Sequence, residues 1–417
     1  MILSTPKVFV IAYGVQDTAE CESPDNPRAG AEPISAAASS ILILLAILLH
    51  SLPLLRSGER AARRPGFVVA PLSTAAQATP GFKEEVLNPD SPPPIAHVPS
   101  ICELPDGRLA ATWYAGSSEG ARDVAIYFAR QNPGKSGWSK PRPIVTRELA
   151  AHDLNRRIKK VGNPLIFAED AGRLCLLYVT ITAGGWSGSS LNLTCSDDEG
   201  LSWVPGRRLT LSPFFNLGEL ARGRPVALSD GSWAVPIYQE LIGRLPELLW
   251  LRPSAGGWSV SKSRIDGGRS GYQPSLAPLS TNTALALLRD FSPRQRISLA
   301  RTDDAGRVWS SPEVLGLPNP DAGLAALRLT DGRVLLFFND SLTSRHHLRL
   351  AVSADEGQTW TRLAALAGED EVEASYPFAI QTRDGQIHLV YRRGLTEIKH
   401  LVFNEAWVSA QPGATSR

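Results

Sequence analysis

The sequence predicts an all-β protein, built from residue 80 onward as a propeller or a similar array of repeated sheets. Three observations carry that expectation. A tight turn between two apolar strands recurs six times. It reads Asp-Gly at 106–107, 230–231, 331–332 and 384–385, with degenerate versions at Ala171-Gly172 and near Thr281-Asn282. Neighbouring turns lie about 50 to 65 residues apart, a period typical of such arrays. A second motif, Ser/Thr-x-Asp-x-Gly-x-x-Trp, occurs at 196–203, 302–309 and 353–360. Finally, 35 glycines, 32 prolines and 10 tryptophans in 417 residues suit many short strands joined by turns better than long helices.

Taken in order, residues 1–35 read as a disordered tail. Residues 36–55, AAASSILILLAILLHSLPLL, carry no formal charge and are long enough to span a bilayer, so they are expected to be a signal or transmembrane anchor. No small-x-small cleavage site follows the run. Arg56, Arg60, Arg63 and Arg64 flank its C-terminal side, which by the positive-inside rule would leave the following domain in the cytoplasm. An enzyme acting on glycans would face outward, and an extracytoplasmic location is the favoured expectation. Residues 56–79 read as a basic, Ala/Pro-rich linker, and residues 80–417 as the repeat domain.

Within that domain each Asp-Gly pair predicts a hairpin, because both residues tolerate positive φ. RLAATWY follows the first turn, RVLLFF the fifth and QIHLVY the sixth. In the Ser/Thr-x-Asp-x-Gly-x-x-Trp loops the Asp can accept backbone N–H groups, the Gly permits the turn and the Trp packs beneath it. That reading is structural, and it places these loops on the blade rims. A net charge of +2 speaks against a nucleic-acid surface. Cys21, Cys102, Cys175 and Cys195 lack metal-ligand spacing. Free buried thiols are the expected state, with a disulfide between Cys175 and Cys195 as the alternative. No metal or other cofactor is expected.

The three copies of the second motif resemble the Asp-boxes (BNR repeats) of the sialidase, or neuraminidase, superfamily, and the resemblance runs from about 80 to 410. It implies a six-bladed β-propeller, matching the six repeats, with the strand in PGFKEEVL at 80–87 closing the ring. It also implies a site where the inner strands begin. Sialidases clamp the sugar carboxylate with three arginines, attack with a Tyr activated by a Glu, and use an Asp as acid/base, an exception to the usual carboxylate pair.

Carried over residue by residue, His97 in His-Val-Pro stands where the first arginine should be. Asp123 takes the place of the acid/base, with Glu119 as a neighbouring alternative. Arg289 matches the second arginine and Arg345 the third, with Arg349 as a rival. Tyr376 opens the last inner strand as the nucleophile. The partner Glu is replaced by Gln273, which can orient a hydroxyl but cannot take its proton. Glu219, Glu240 or Glu373 could approach instead, and Arg224 in Arg-Gly-Arg-Pro could replace the lost arginine.

His97, Arg-x-Pro, Gln-Pro-Ser and Tyr-Pro together resemble the predicted-neuraminidase branch, whose relatives include rhamnosidases and rhamnose–glucuronate lyases. His346, His347, His388 and His400 are further histidines, and His388 in a strand reads as a packed, hydrogen-bonded residue. The favoured expectation is an exo-acting enzyme that cleaves a terminal acidic sugar from a glycan. The alternatives are a lyase or rhamnosidase using His97, and a non-catalytic propeller that binds glycans or proteins. The expected partners are an acidic glycan and, through 36–55, a membrane.

Overall fold

The computed structural model describes residues 65–73, 79–89, 94–134, 137–213, 216–254, 257–268, 270–368 and 372–413. Six antiparallel sheets follow one another along the chain. Blade one is β2 (Ile95–Glu103), β3 (Leu109–Gly116), β4 (Ala125–Arg130) and β5 (Arg142–Val145). Blade two is β6 (Lys160–Ala168), β7 (Leu174–Ile181), β8 (Ser189–Ser196) and β9 (Arg207–Arg208). In blade three the inner strand is broken into β10 (Glu219–Ala221) and β11 (Val226–Ala227), followed by β12 (Trp233–Gln239), β13 (Leu245–Ser254) and β14 (Gly257–Arg264). Blade four is β15 (Gly271–Pro278), β16 (Ala284–Asp290), β17 (Arg296–Thr302) and β18 (Glu313–Pro318). Blade five is β19 (Ala325–Arg328), β20 (Val334–Asn339), β21 (Leu348–Ser353) and β22 (Thr361–Ala365). Blade six is β23 (Ala374–Gln381), β24 (Ile387–Arg393), β25 (Glu397–Phe403) and the early strand β1 (Phe82–Val86).

The ring closes twice. β2 packs on β6 and also on β23, so the first and last blades are neighbours. β1 then pairs with β25 from Phe82 opposite Phe403 to Val86 opposite Lys399, joining the start of the domain to its last blade and covering an edge that would otherwise be unpaired. All six turns of the repeat join the inner strand of a blade to the next strand out. Apolar side chains fill the space between blades, with Trp113, Tyr178, Trp250 and Tyr391 almost wholly buried.

The three Asp-boxes link the third and fourth strands of blades two, four and five, on the rim as expected. They share one hydrogen-bond pattern. Gly200, Gly306 and Gly357 donate N–H to Ser196, Thr302 and Ser353, whose hydroxyls donate to Asp198, Asp304 and Asp355. Each carboxylate then accepts a backbone N–H from the end of the loop. The residue before each Gly, namely Glu199, Ala305 and Glu356, takes a left-handed conformation with φ of 56 to 58°.

Cys175 and Cys195 face each other across β7 and β8 and are joined by a disulfide, which corrects the expectation of free thiols. The sequence left this open because strand register, not spacing, sets two cysteines opposite each other. Cys102 is buried and free. His388 behaves as a packed residue. It is buried, lies 3.0 Å from His400, and His400 in turn lies 2.8 Å from Glu85.

Residues 65–73, expected to be linker, lie on the propeller. Phe67 is buried, forms a β-bridge with Leu228, and donates its N–H to Thr281 O. The expected anchor at 36–55 and the tail at 1–35 fall outside the described residues. Among the described residues no helix is long and apolar enough to cross a membrane.

Candidate active site

Four inner strands share a local irregularity. Register slips between His97 and Ser100, Gly162 and Leu165, Tyr272 and Ser275, and Ser375 and Phe378. Each slip holds a two-residue bulge ending in proline: Val98-Pro99, Asn163-Pro164, Gln273-Pro274 and Tyr376-Pro377. Proline suits the bulge because it has no N–H to leave unpaired. The residue before it is left-handed in all four, with φ between 44 and 56°. That conformation costs a non-glycine residue about 1–2 kcal/mol, and a following proline disfavours it further. Bulges re-aim side chains, and here all four left-handed residues line one cavity of about 200 Å³.

Blade three reaches the same place differently. Gly223 is left-handed at φ 99°, and a Cβ on it would lie 2.5 Å from Pro274 O. Only glycine fits, and the turn it makes sends Arg222 to the axis. Arg222 is buried, and its Nη2 donates to Pro377 O at 2.7 Å. Burial holds its pKa down to about 10, so it stays cationic at neutral pH. Its guanidinium stands 5.4 Å from the ring of Tyr376, and that of Arg345 stands 6.0 Å away. Tyr376 therefore sits among guanidinium groups.

His97 stands behind Tyr376 and does not line the cavity. It is 5% exposed and meets the tyrosine ring edge-on at 4.5 Å. Arg392 Nη1 donates to its Nε2 at 3.2 Å, which requires a neutral ring. Burial, then Arg392, Arg222 and Arg345, push its pKa well below the ordinary value. His97 thus adds no positive charge to a clamp. It packs against the ring of Tyr376 from behind.

Arg289 lines the cavity with its charge already answered. Its Nε donates to Asp321 at 2.7 Å and its Nη1 to Gln273 at 2.9 Å. Burial opposes that charge, but Tyr272, Tyr376 and Asp321 outweigh burial and raise its pKa. Asp321 also accepts from Tyr272 Oη at 2.7 Å and from Arg244 at 3.4 Å, while Arg345 Nη2 donates to its backbone oxygen at 2.6 Å. One residue of the chain thus holds both arginines that the sequence assigned to a substrate carboxylate.

Three predicted positions are rearranged. Asp123 is exposed and does not line the cavity. Its carboxylate accepts from the N–H and hydroxyl of Ser117, bracing the loop, and Glu119 on that loop lines the cavity instead. Arg224 lines a different cavity, because Gly223 reverses the chain between it and Arg222. Of the three replacement carboxylates, Glu240 lines the site. Burial raises its pKa, against the pull of Arg244 and Arg289. Glu219 is buried with Lys262, and Glu373 accepts from Ser375 and pairs with Arg392. Arg349, the rival to Arg345, forms an ion pair with Asp340 and donates to Leu363 O.

Asn163, Arg222, Tyr238, Tyr272 and Trp186 were not anticipated, and all line the cavity. The first two had a signal: a proline one to three residues downstream at the head of an inner strand. Tyr238 and Tyr272 are strand aromatics that read equally well as core, and Trp186 lies in a short 3-10 turn between β7 and β8. Among the described residues no group of three or more His, Cys, Asp or Glu could hold a metal ion.

The description of the BNR repeat-like domain matches residues 107–389. The chain belongs to the BNR repeat-like family. No curated protein matches it. Solved structures similar to this BNR repeat-like propeller include a Dyadobacter fermentans protein of unknown function, at 16% identity and TM-score 0.61, covering 78% of this chain and all of that one. The Hadza microbial sialidase Hz136 matches at 17% identity and TM-score 0.62, over 75% of this chain and 66% of that one. The intramolecular trans-sialidase from Ruminococcus gnavus, solved with oseltamivir carboxylate, matches at 13% identity and TM-score 0.61, over 76% of this chain and 96% of that one. At these identities the likeness is one of fold, a sialidase-like propeller.

Proposed function

We propose that this BNR repeat-like protein is an exo-acting glycosidase that removes a terminal acidic sugar at the cavity around Tyr376. The observation that carries the reading is the placing of Tyr376 on a strained bulge, facing the cavity and surrounded by guanidinium groups, with Glu119 and Glu240 lining the same space. Backbone strain of this kind persists where the surroundings impose it, and it clusters at functional sites.

In the proposed reaction Glu240 takes the Tyr376 hydroxyl proton as the phenolate oxygen bonds to the anomeric carbon. The glycosidic bond breaks, and Glu119 protonates the departing oxygen. Glu119 then takes a proton from water, whose oxygen displaces Tyr376 from the sugar, and Glu240 returns the proton to the phenolate. A tyrosine is a fitting nucleophile for an anionic sugar, since an attacking carboxylate would be repelled. His97, neutral and buried behind the tyrosine, supports a positioning role over the proton transfer that a lyase would ask of it.

Asp321 favours a second reading. Because it neutralises Arg289, the cavity also suits a neutral terminal sugar such as rhamnose. The deciding experiment offers the purified protein a panel of sialosides and rhamnosides and measures free sugar, with Tyr376→Phe as control. Free sialic acid, lost in the variant, supports the first reading, and free rhamnose supports the second. Release of neither sugar would remove hydrolysis and leave a glycan-binding propeller.

The Cys175–Cys195 disulfide supports an extracytoplasmic location, because such bonds persist in oxidising compartments. With it we infer a membrane anchor at 36–55, placing the propeller outside against the bias of the flanking arginines. Protease accessibility of the propeller on intact cells tests this.

A further inference from the structure

A second cavity, of about 400 Å³, opens where the inner strands end. β15 and β23 begin at the first cavity with Gln273 and Tyr376, and reach the second with Pro278 and Gln381. The two cavities therefore lie at opposite ends of the propeller axis. Arg224, Arg328 and Arg383 line the second, residues 68–71 cover one side, and no carboxylate lines it.

The three arginines differ in what answers their charge. Arg383 donates to Glu103 at 3.0 Å and to Pro105 O at 2.8 Å. Arg328 gives one bond, to Ala70 O at 3.2 Å. Arg224 has no hydrogen bond, ion pair or ring contact among the described residues, and its Nε is buried without a partner. Burial lowers its pKa to about 10, which leaves it protonated at neutral pH. An unpaired, partly buried guanidinium on a cavity wall is stabilised by a ligand that neutralises it. The planar fork of Arg is matched by an oxyanion, which can accept two parallel bonds.

We propose that this cavity is an oxyanion-binding site, taking a sulfate or phosphate group between Arg224 and Arg328, separate from the Tyr376 site. The group could be a free ion or an ester on a saccharide. Binding would also tie residues 68–71 to the propeller, since Arg328 holds Ala70.

The test is thermal unfolding of the whole protein in rising sodium sulfate, against sodium chloride of equal ionic strength. The expected result is a saturable rise in Tm with sulfate. Arg224→Gln and Arg328→Gln should each weaken the apparent affinity at least tenfold, while Arg289→Gln in the other cavity leaves it unchanged. The proposal is overturned if sulfate raises Tm without saturation, or equally in wild type and Arg224→Gln. If Arg224→Gln does not fold, Arg328→Gln carries the comparison. Calorimetry with inorganic phosphate and glucose 6-phosphate then separates the sources: tighter binding of either one supports the site and names its ligand, and binding of neither counts against it. Because Tyr376→Phe should bind sulfate like the wild type, failure here is distinct from failure of the proposed glycosidase activity.

Discussion

The propeller uses the left-handed backbone in two places, and the two are treated in opposite ways. On the rim, Glu199, Ala305 and Glu356 adopt positive φ in three loops whose hydrogen bonds repeat almost atom for atom. At the axis, Val98, Asn163, Gln273 and Tyr376 adopt the same φ before prolines, yet each side chain is different. The rim repeats its chemistry because the loop is the product, a turn held by its own Ser/Thr and Asp over a Trp packed beneath it. The axis repeats only its backbone, which delivers a different group from each of four blades to one cavity. Where a repeat keeps its residues the role is structural, and where it keeps its geometry but varies its residues a site is built.

Changes at the two places should sharpen that contrast. Tyr376→Phe removes only the hydroxyl, so it should lower kcat by roughly a thousandfold or more while Tm stays within about a degree. A large fall in Tm would make the axis structural too. Trp309→Ala should do the reverse. Trp309 is 7% exposed under its Asp-box, and its loss should cost about 3 kcal/mol in chemical denaturation with sugar preference unchanged. Altered preference would join rim and site.

Glu240→Gln should lower kcat about a hundredfold and remove the acid limb of the pH–rate profile. Glu240 acts as a base only when ionised, and burial raises its pKa, so the wild-type kcat/KM should fall as pH drops through a value above the ordinary 4.5. An unchanged limb in the variant would remove Glu240 as the base. Asp321→Asn frees Arg289 and should improve the ratio of acidic to neutral sugar bound by about tenfold, read by calorimetry. No change would mean that the cavity does not sense that charge.

The smallest effect belongs to the rim. Burial works against the Asp355 carboxylate, but donors from Thr359 and Ser353 lower its pKa from 3.8 to about 2. A depressed folded pKa means that its contribution is complete above about pH 4 and is lost as pH falls through 2. Asp355→Asn should flatten that part of the acid-unfolding curve slightly.

Tyr376, Arg289 and Gln273 were legible as cavity residues because the family resemblance fixes where each should sit relative to a recurring strand or Asp-box, whereas Arg345 reaches Asp321 O and does not line the cavity. Arg224 and Asp123 were misplaced for local reasons. One left-handed glycine exchanges Arg222 and Arg224 between opposite ends of the axis, and a loop turns Asp123 back onto Ser117. Neither event changes the spacing of residues along the chain, which is all that the sequence displays.

The family resemblance implied the closing strand, and the sequence by itself determined the six repeats and the three rim loops. Those depend on local periodicity and turn chemistry, which act between residues close in the chain. The tertiary structure alone decided that His97 is neutral behind Tyr376, that Asp321 holds the arginines, and that Arg224 faces a second cavity. Those are matters of charge and burial between residues on different blades, and only closing the ring brings them together.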